Sequence, residues 1–352
     1  MSFTALERWI MLVASAWLVT GLQLDAYAHA TTPELETFWT PWHAVLYSGI
    51  AVSGFTLLWL LRKRLPAIPT YRSLVALPNA LRIPMLGMAF LLVGGGVDTL
   101  WHNIFGIEQG LEIFVSPSHE AIILGMCLFA MGPALLLATR PGDRLSPGDA
   151  VLATLSALLS VLPVHIYSLH ASVFGAIFFG PDPTPQRIFS FSGQIFHGYL
   201  VSTILLLLPI VLAGRRWRVP IGMPTVLVAL VSLAMYAMFQ SDEAAWWLPL
   251  TIGAAAAGVE LLARLVGPLL PLSREAAWVT LGAVAPVLVW STLFLVADAQ
   301  VGVGWNVHIV SGLLTYTAIA GAGTVLVARN VRPPAAATPA PAGPARVEVP
   351  AP

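Results

Sequence analysis

Cysteine and charged side chains are scarce in this sequence, and both scarcities limit what the protein can be. Cys127 is the single cysteine among 352 residues, which excludes an intramolecular disulfide and a thiolate metal cluster. Charged residues make up 10% of the chain, with 17 Lys+Arg balanced by 17 Asp+Glu. This balance gives no sign of the basic patch that nucleic-acid binding requires, so we expect no nucleic-acid partner. A glycine-rich phosphate loop and a Ser-His-Asp arrangement are also missing, which argues against nucleotide-driven pumping and hydrolase chemistry.

Long apolar segments, by contrast, are abundant. Hydrophobic residues account for 57% of the chain, and the apolar runs reach the roughly 20 residues that cross a bilayer. This pattern predicts an all-α, polytopic membrane bundle with the lipid bilayer as its main partner. Ten spans are predicted, at 9–28, 41–61, 84–104, 117–139, 147–170, 188–213, 220–240, 246–265, 277–298 and 305–328. They form an integral membrane domain, 1–330, and the Ala- and Pro-rich residues 331–352 predict a disordered cytoplasmic tail.

Cations and acids divide between alternate connections of these spans. The cations follow spans two, four, six and eight, whereas the other connections are acidic and carry one cation, Arg187. Since Lys and Arg in short loops stay in the cytoplasm, both termini are predicted to be cytoplasmic, with five helical hairpins opening outward from the cell membrane. All eight His fall at or near the outer ends of the spans, which predicts a functional cluster at the extracytoplasmic face.

A motif of acids and histidines occurs twice within residues 1–139. Asp25 and His29 precede a segment Phe-Trp-Thr-Pro-Trp that ends at His43, and Asp98 and His102 precede a segment Phe-Val-Ser-Pro-Ser that ends at His119. Asp and His are costly inside a membrane, so their recurrence in one order predicts a function. We therefore interpret 1–139 as two duplicated hairpins and 147–330 as further, diverged hairpins.

The spacing within each motif suits metal ligation. Residues four apart share a helix face, so the Asp and the first His can aim at one point. Thr40 and Ser116 are predicted N-caps, followed by a proline at the first helical position, which places His43 and His119 in the first turn. One mononuclear site per hairpin and one shared dinuclear site both fit. Imidazole with carboxylate suits copper, iron, zinc or manganese.

Other residues near the outer ends are additional or supporting candidates, although each also has a plain structural interpretation. Glu120 could orient His119, or simply complement the dipole of its helix. A polar contact between helices, or a helix start that faces water, would explain the remaining histidines equally well. The additional candidates are Glu120, His165, His170, His197, Asp298 and His308.

The order Asp-x3-His followed later by His resembles the intramembrane copper-ligand pattern of the C subunit of particulate methane and ammonia monooxygenases. In this chain thirteen and sixteen residues separate the second and third ligands of the two copies. The resemblance implies that Asp25, His29 and His43, and likewise Asp98, His102 and His119, bind copper in a site that activates oxygen. It also implies an electron donor, either a protein or a quinol, and association with other membrane subunits or a second copy of the chain.

The leading interpretation is thus a copper- or iron-dependent membrane monooxygenase that acts on a small apolar substrate. A metal-ion or proton-coupled transporter could use the same acids and histidines, but it should also carry polar groups along the inner halves of the spans, where Glu260 is the main example. A haem-binding bundle is a third alternative, and it leaves the Asp of each motif unexplained. Residues 1–30 also resemble a signal peptide, because they end in Ala-His-Ala.

Overall fold

The computed structural model describes residues 2–31, 40–106, 108, 112–113, 115–168, 172–174, 185–239 and 243–330, with the backbone alone described for 29–30, 185–195 and 243–244. In these ranges the regular structure is entirely helical, which confirms the predicted all-α class. The helices are α1 (Ala5–Thr31), α2 (Pro41–Arg62), α3 (Tyr71–Val75), α4 (Asn79–Phe105), α5 (Pro117–Ala130), α6 (Gly132–Ala138), α7 (Pro147–Tyr167), α8 (Pro185–Arg216), α9 (Met223–Tyr236), α10 (Trp247–Val266), α11 (Arg274–Val301) and α12 (Val307–Asn330).

Within the described residues, nine helical segments are long and apolar enough to cross a bilayer, and α5 with α6 counts as one of them. The predicted span at 220–240 is not among these nine segments. Helix α9 has 14 residues, because it starts only after Gly222, whose φ of +82° is a left-handed conformation, and it gives way to a 3-10 turn at Ala237–Phe239. A helix of that length rises about 21 Å, which is less than the hydrocarbon core of a bilayer.

The helix starts follow the chemistry that the sequence predicts. Thr40 is the N-cap of α2, and its Oγ1 accepts the His43 N–H at 3.1 Å. Ser146 caps α7 in the same way by accepting the Asp149 N–H at 3.2 Å. Ser116 precedes α5 as predicted, but its hydroxyl caps no backbone N–H and contacts the Ser118 hydroxyl instead. The Ser116 and Ser118 hydroxyls belong instead to the site described below.

The buried side chains form two main clusters that divide the bundle. One cluster joins α1, α2, α4, α5 and α6 around Met11, Leu18, Leu81 and Phe129. The other is built mainly from α7 to α11 and is centred on Trp290 and its neighbours. Helix α1 contributes residues to both clusters.

Helix pair α1–α2 and helix pair α4–α5 pack through equivalent glycines. A Cβ atom on Gly49 would lie 2.9 Å from the Leu18 Cα, and a Cβ atom on Gly125 would lie 2.9 Å from the Leu91 N. Both glycines lie six residues after the final His of their motif, and both leucines lie seven residues before the Asp. The two motifs are therefore held on helix pairs that approach each other at the same positions.

Ion pairs occupy the end of the bundle remote from the motifs. Arg64 Nη2 lies 3.0 Å from Glu7 Oε1, and Arg8 Nη2 lies 3.2 Å from Asp149 Oδ1. Glu7 precedes Asp25 by 18 residues of α1, a rise of about 27 Å. The basic connections and the Asp-His motifs thus lie at opposite ends of the helices, and the membrane face that each end occupies stays a prediction.

Candidate metal centre

Asp98, His102 and His119 converge at the junction of α4 and α5. One ligand atom from each residue lies within 4.8 Å of the other two. His119 Nε2 is 3.1 Å from Asp98 Oδ1, and His102 Nε2 is 3.5 Å from Asp98 Oδ2. The Asp98 side chain is 7% exposed, and the His102 side chain 12%. The predicted i, i+4 pair and the first-turn histidine of the second motif therefore form one compact group.

The other ring nitrogens of the two histidines fix their orientation. His119 Nδ1 lies 2.9 Å from the Ile113 carbonyl oxygen, and His102 Nδ1 lies 3.3 Å from the Gly106 carbonyl oxygen and 3.1 Å from Glu108 Oε2. Because carbonyl and carboxylate oxygens only accept, each Nδ1 must carry the proton. In the neutral rings the Nε2 lone pairs then point at Asp98. This is the arrangement by which outer hydrogen-bond partners orient metal-binding histidines.

Asp98 is also held by a buried hydroxyl. Ser118 Oγ donates to Asp98 Oδ1 at 2.9 Å and contacts Ser116 Oγ at 2.9 Å. A lone pair that faces a carboxylate oxygen at about 3 Å is repulsive unless a proton or a metal ion lies between the two atoms. A second proton on an imidazole, a proton on the Asp98 carboxyl, or a metal ion coordinated by the three side chains would each remove this repulsion.

The described residues of the first motif form a similar arrangement. His43 Nε2 lies 3.4 Å from Asp25 Oδ1, which joins α1 to α2. Asp25 is close enough to interact electrostatically with Asp98 and His119, so the two motifs are neighbours. The His29 side chain lies outside the described residues.

Tyr47, one helical turn after His43, lies between the two motifs. Its side chain interacts electrostatically with both Asp25 and Asp98 and is within hydrogen-bonding reach of Thr99. Its ring packs beside Gly95, where a Cβ atom would meet the Tyr47 Cε1 at 3.8 Å, an ordinary van der Waals contact.

None of the additional candidates with a described side chain joins the Asp98 group. Glu120 is exposed. It was expected to accept a hydrogen bond from His119 Nδ1, but that nitrogen faces the Ile113 carbonyl oxygen instead. Asp298 Oδ1 accepts the Val303 N–H at 3.1 Å near the end of α11, and His308 is exposed at the start of α12. His165 and His197 line a separate pocket between α7 and α8. His170 lies outside the described residues.

Three supporting residues were missed by the sequence analysis as parts of the site. Ser118 orients Asp98, Glu108 faces His102, and Tyr47 connects the motifs. The signal for Ser118 is its position immediately before His119 in the first turn of α5, which places it beside a ligand. Glu108 follows the end of α4, where spacing along a helix no longer predicts which atoms meet.

Comparison with protein-family models, with characterised proteins and with solved structures gives no match for this chain. Its function must therefore be argued from the chemistry of the site.

Proposed function

We propose that this chain is a membrane metalloprotein whose Asp98 group binds a redox-active transition metal, copper or iron. The observation that carries the proposal is the orientation of three side chains. Two imidazoles anchored through Nδ1 present Nε2 to the two oxygens of one carboxylate. Two histidines and one carboxylate are typical of oxygen-activating iron sites, and imidazole is an equally good ligand for copper.

The proposed reaction is the hydroxylation of a small apolar substrate with oxygen. Three protein ligands leave coordination positions open for other molecules, and a bound copper or iron ion would supply the electron transfer that activates oxygen. The chain itself would hold the ion through Asp98, His102 and His119, while Ser118 fixes the carboxylate. The bilayer would concentrate an apolar substrate around the helices. The resemblance of the motif to the monooxygenase C subunit favours copper over iron.

Metal or proton transport receives less support from the described helices. Glu260, the acid that the sequence places in the inner half of a span, accepts the Gly222 N–H at 2.7 Å and the Thr225 hydroxyl at 2.7 Å. It also lies 2.7 Å from Arg264 Nη2. The Glu260 carboxylate thus holds the start of α9 and does not continue a path away from the Asp98 group.

Haem ligation by His102 and His119 does not fit the site. The Asp98 carboxylate occupies the space between the two Nε2 atoms, at 3.5 and 3.1 Å. A porphyrin coordinated from both sides would have to displace that carboxylate, which Ser118 holds in place.

The proposal is tested by metal analysis of the purified full-length protein from membranes supplied with copper, iron or zinc. Asp98→Ala and His102→Ala are compared with the wild type, and Asp298→Ala and His308→Ala are matched controls of the same residue types. Stoichiometric copper or iron, lost in the first two variants and retained in the controls, supports the proposal. Oxygen consumption with a quinol as reductant then tests the reaction.

Two other results of this experiment would contradict the proposal. Zinc alone would indicate a structural or hydrolytic site. A wild type that contains no metal after any supplement would leave a proton as the cation in the Asp98 group, and proton relay as its chemistry.

A further inference from the structure

A second polar pocket lies between the end of α7 and α8. It has a volume of about 130 Å³ and shares no lining residue with the Asp98 group. Its polar lining residues are His165, Ser168, Ser172, His197 and Ser202. Tyr167, at the same end of α7, interacts electrostatically with Glu108 and Glu120, so the pocket lies at the same end of the bundle as the Asp98 group.

His165 is the deepest polar residue of this pocket. It is 4% exposed, and its Nδ1 lies 3.0 Å from the Val161 carbonyl oxygen. The carbonyl can only accept, so Nδ1 carries the proton and a neutral ring has its lone pair on Nε2. Nε2 is buried and has no hydrogen-bond partner in the part of the chain that the structure describes. A buried acceptor without a partner is destabilising, so a ligand that fills this position stabilises the pocket.

The chemistry of the lining indicates which ligand suits it. His197 supplies a second imidazole and is exposed, so ions can enter from its side. The remaining polar groups are serine hydroxyls, and the described lining includes neither a carboxylate nor a thiolate. Imidazoles bind copper, zinc, iron and nickel. A divalent ion buried without an anionic ligand carries a larger desolvation cost than a monovalent ion, which favours copper(I).

We propose that His165 and His197 form a copper(I)-binding site in this pocket, separate from the Asp98 group. The carbonyl of Val161 fixes the His165 ring as a backbone oxygen does for metal-binding histidines in general. The site requires no negative charge from the protein, because a monovalent ion between two neutral imidazoles adds one charge to the pocket. This inference does not depend on what the Asp98 group binds.

Anaerobic titration of the full-length protein in detergent, with copper(I) delivered from a chromophoric chelator, tests the proposal. The double variant Asp98→Asn/His102→Gln removes the first site, so any remaining high-affinity copper(I) belongs elsewhere. We expect this double variant to keep one copper(I) per chain. Adding His165→Gln should abolish that binding, adding His197→Gln should weaken it by about tenfold or more, and adding His308→Gln should leave it unchanged.

Loss of all copper(I) binding in the Asp98→Asn/His102→Gln variant would overturn the proposal. Copper(I) binding that stays unchanged when His165→Gln or His197→Gln is added would overturn it as well. The exposed position of His197 keeps the test valid if His165→Gln fails to fold, which gel filtration would reveal. If the wild type binds copper(I) that only the pocket variants remove, this inference holds while copper binding at the Asp98 group fails.

Discussion

Helix pairs α1–α2 and α4–α5 carry the same motif on the same packing, yet their polar groups are arranged differently. In the first pair Asp25 lies 3.4 Å from His43. In the second, the equivalent contact joins Asp98 to His119 at 3.1 Å. Equivalent backbone contacts therefore bring an acid and a first-turn histidine together, but they do not by themselves determine the finished site.

The difference is explained by the residues at the start of the later helix of each pair. In α5 Ser118 precedes the histidine and its hydroxyl donates to Asp98, whereas the equivalent residue in α2 is Trp42, which has no hydroxyl. Ser116 turns toward Ser118, while Thr40 caps the His43 N–H. In the second motif the hydroxyls of Ser116 and Ser118 thus hydrogen-bond toward the carboxylate. In the first motif the Thr40 hydroxyl caps the start of the helix. The hydrogen bonds at the helix start are what differ between the described parts of the two copies.

The strongest test of this comparison removes the acid from each copy in turn. Asp98→Asn should abolish metal binding at the α4–α5 junction, a loss of more than about 100-fold in affinity, because the only carboxylate between the two imidazoles loses its charge. Asp25→Asn should change the affinity of that site by far less. Metal titration with the purified variants measures both effects.

Asp298→Asn serves as the control, since that acid lies near the end of α11 and accepts the Val303 N–H. Equal losses in Asp25→Asn and Asp98→Asn would contradict the comparison. They would mean that the two motifs share one dinuclear site, with both acids as ligands.

The second test concerns the shared packing of the two helix pairs. A Cβ atom on Gly125 would lie 2.7 Å from the Gly87 carbonyl oxygen and 2.9 Å from the Leu91 N, and backbone atoms cannot move aside cheaply. Gly125→Ala should therefore lower the free energy of unfolding by about 1–3 kcal/mol. Gly49→Ala should have a similar effect, because its Cβ would lie 2.9 Å from the Leu18 Cα.

Gly96→Ala is the matched control for this measurement, made by denaturant titration in detergent. It lies in α4, and a Cβ atom there would meet nothing within 4 Å. Alanine in a helix interior is favoured over glycine, so this variant should gain up to about 1 kcal/mol. A destabilised Gly125→Ala beside an unaffected Gly49→Ala would show that the two pairs do not pack alike.

The sequence predicted the parts of this structure that depend on helical periodicity and on helix starts. Asp98 and His102 meet because they are four residues apart on one helix, and His119 joins them because Pro117 begins α5 two residues earlier. The convergence of Gly49 and Gly125 on equivalent leucines follows from the same regular spacing.

Other features could not be predicted, because they depend on where irregular segments turn. Glu108 reaches His102 from beyond the end of α4, and Ile113 presents its carbonyl to His119 from the same connection. The predicted span at 220–240 differs from the observed helix α9 for a related reason. The apolar composition of 220–240 does not reveal that Gly222 adopts a left-handed conformation and delays the start of α9.

The third test concerns Ser118, which distinguishes the second copy from the first. Ser118→Ala removes the hydroxyl that donates to Asp98 Oδ1 at 2.9 Å, so the carboxylate loses its fixed orientation. We expect metal affinity to fall by about tenfold with the stoichiometry unchanged. Ser116→Ala is the control, because Ser116 contacts Ser118 and acts on the carboxylate only through it. An unchanged affinity in Ser118→Ala would mean that Asp98 is oriented by the histidines alone.

The smallest effect is expected from Glu120, the acid beside His119 in the sequence. Glu120 is exposed and His119 Nδ1 faces the Ile113 carbonyl, so Glu120→Gln should change metal affinity by less than about twofold. Glu108→Gln is the informative comparison, since Glu108 Oε2 lies 3.1 Å from His102 Nδ1 and its replacement should cost about tenfold. Both variants remove one negative charge from the same end of the bundle, so a long-range electrostatic effect would weaken metal binding equally in the two. A larger loss in Glu108→Gln therefore identifies a direct contact with the ligand, whereas equal losses would mean that the acids act only through their charge.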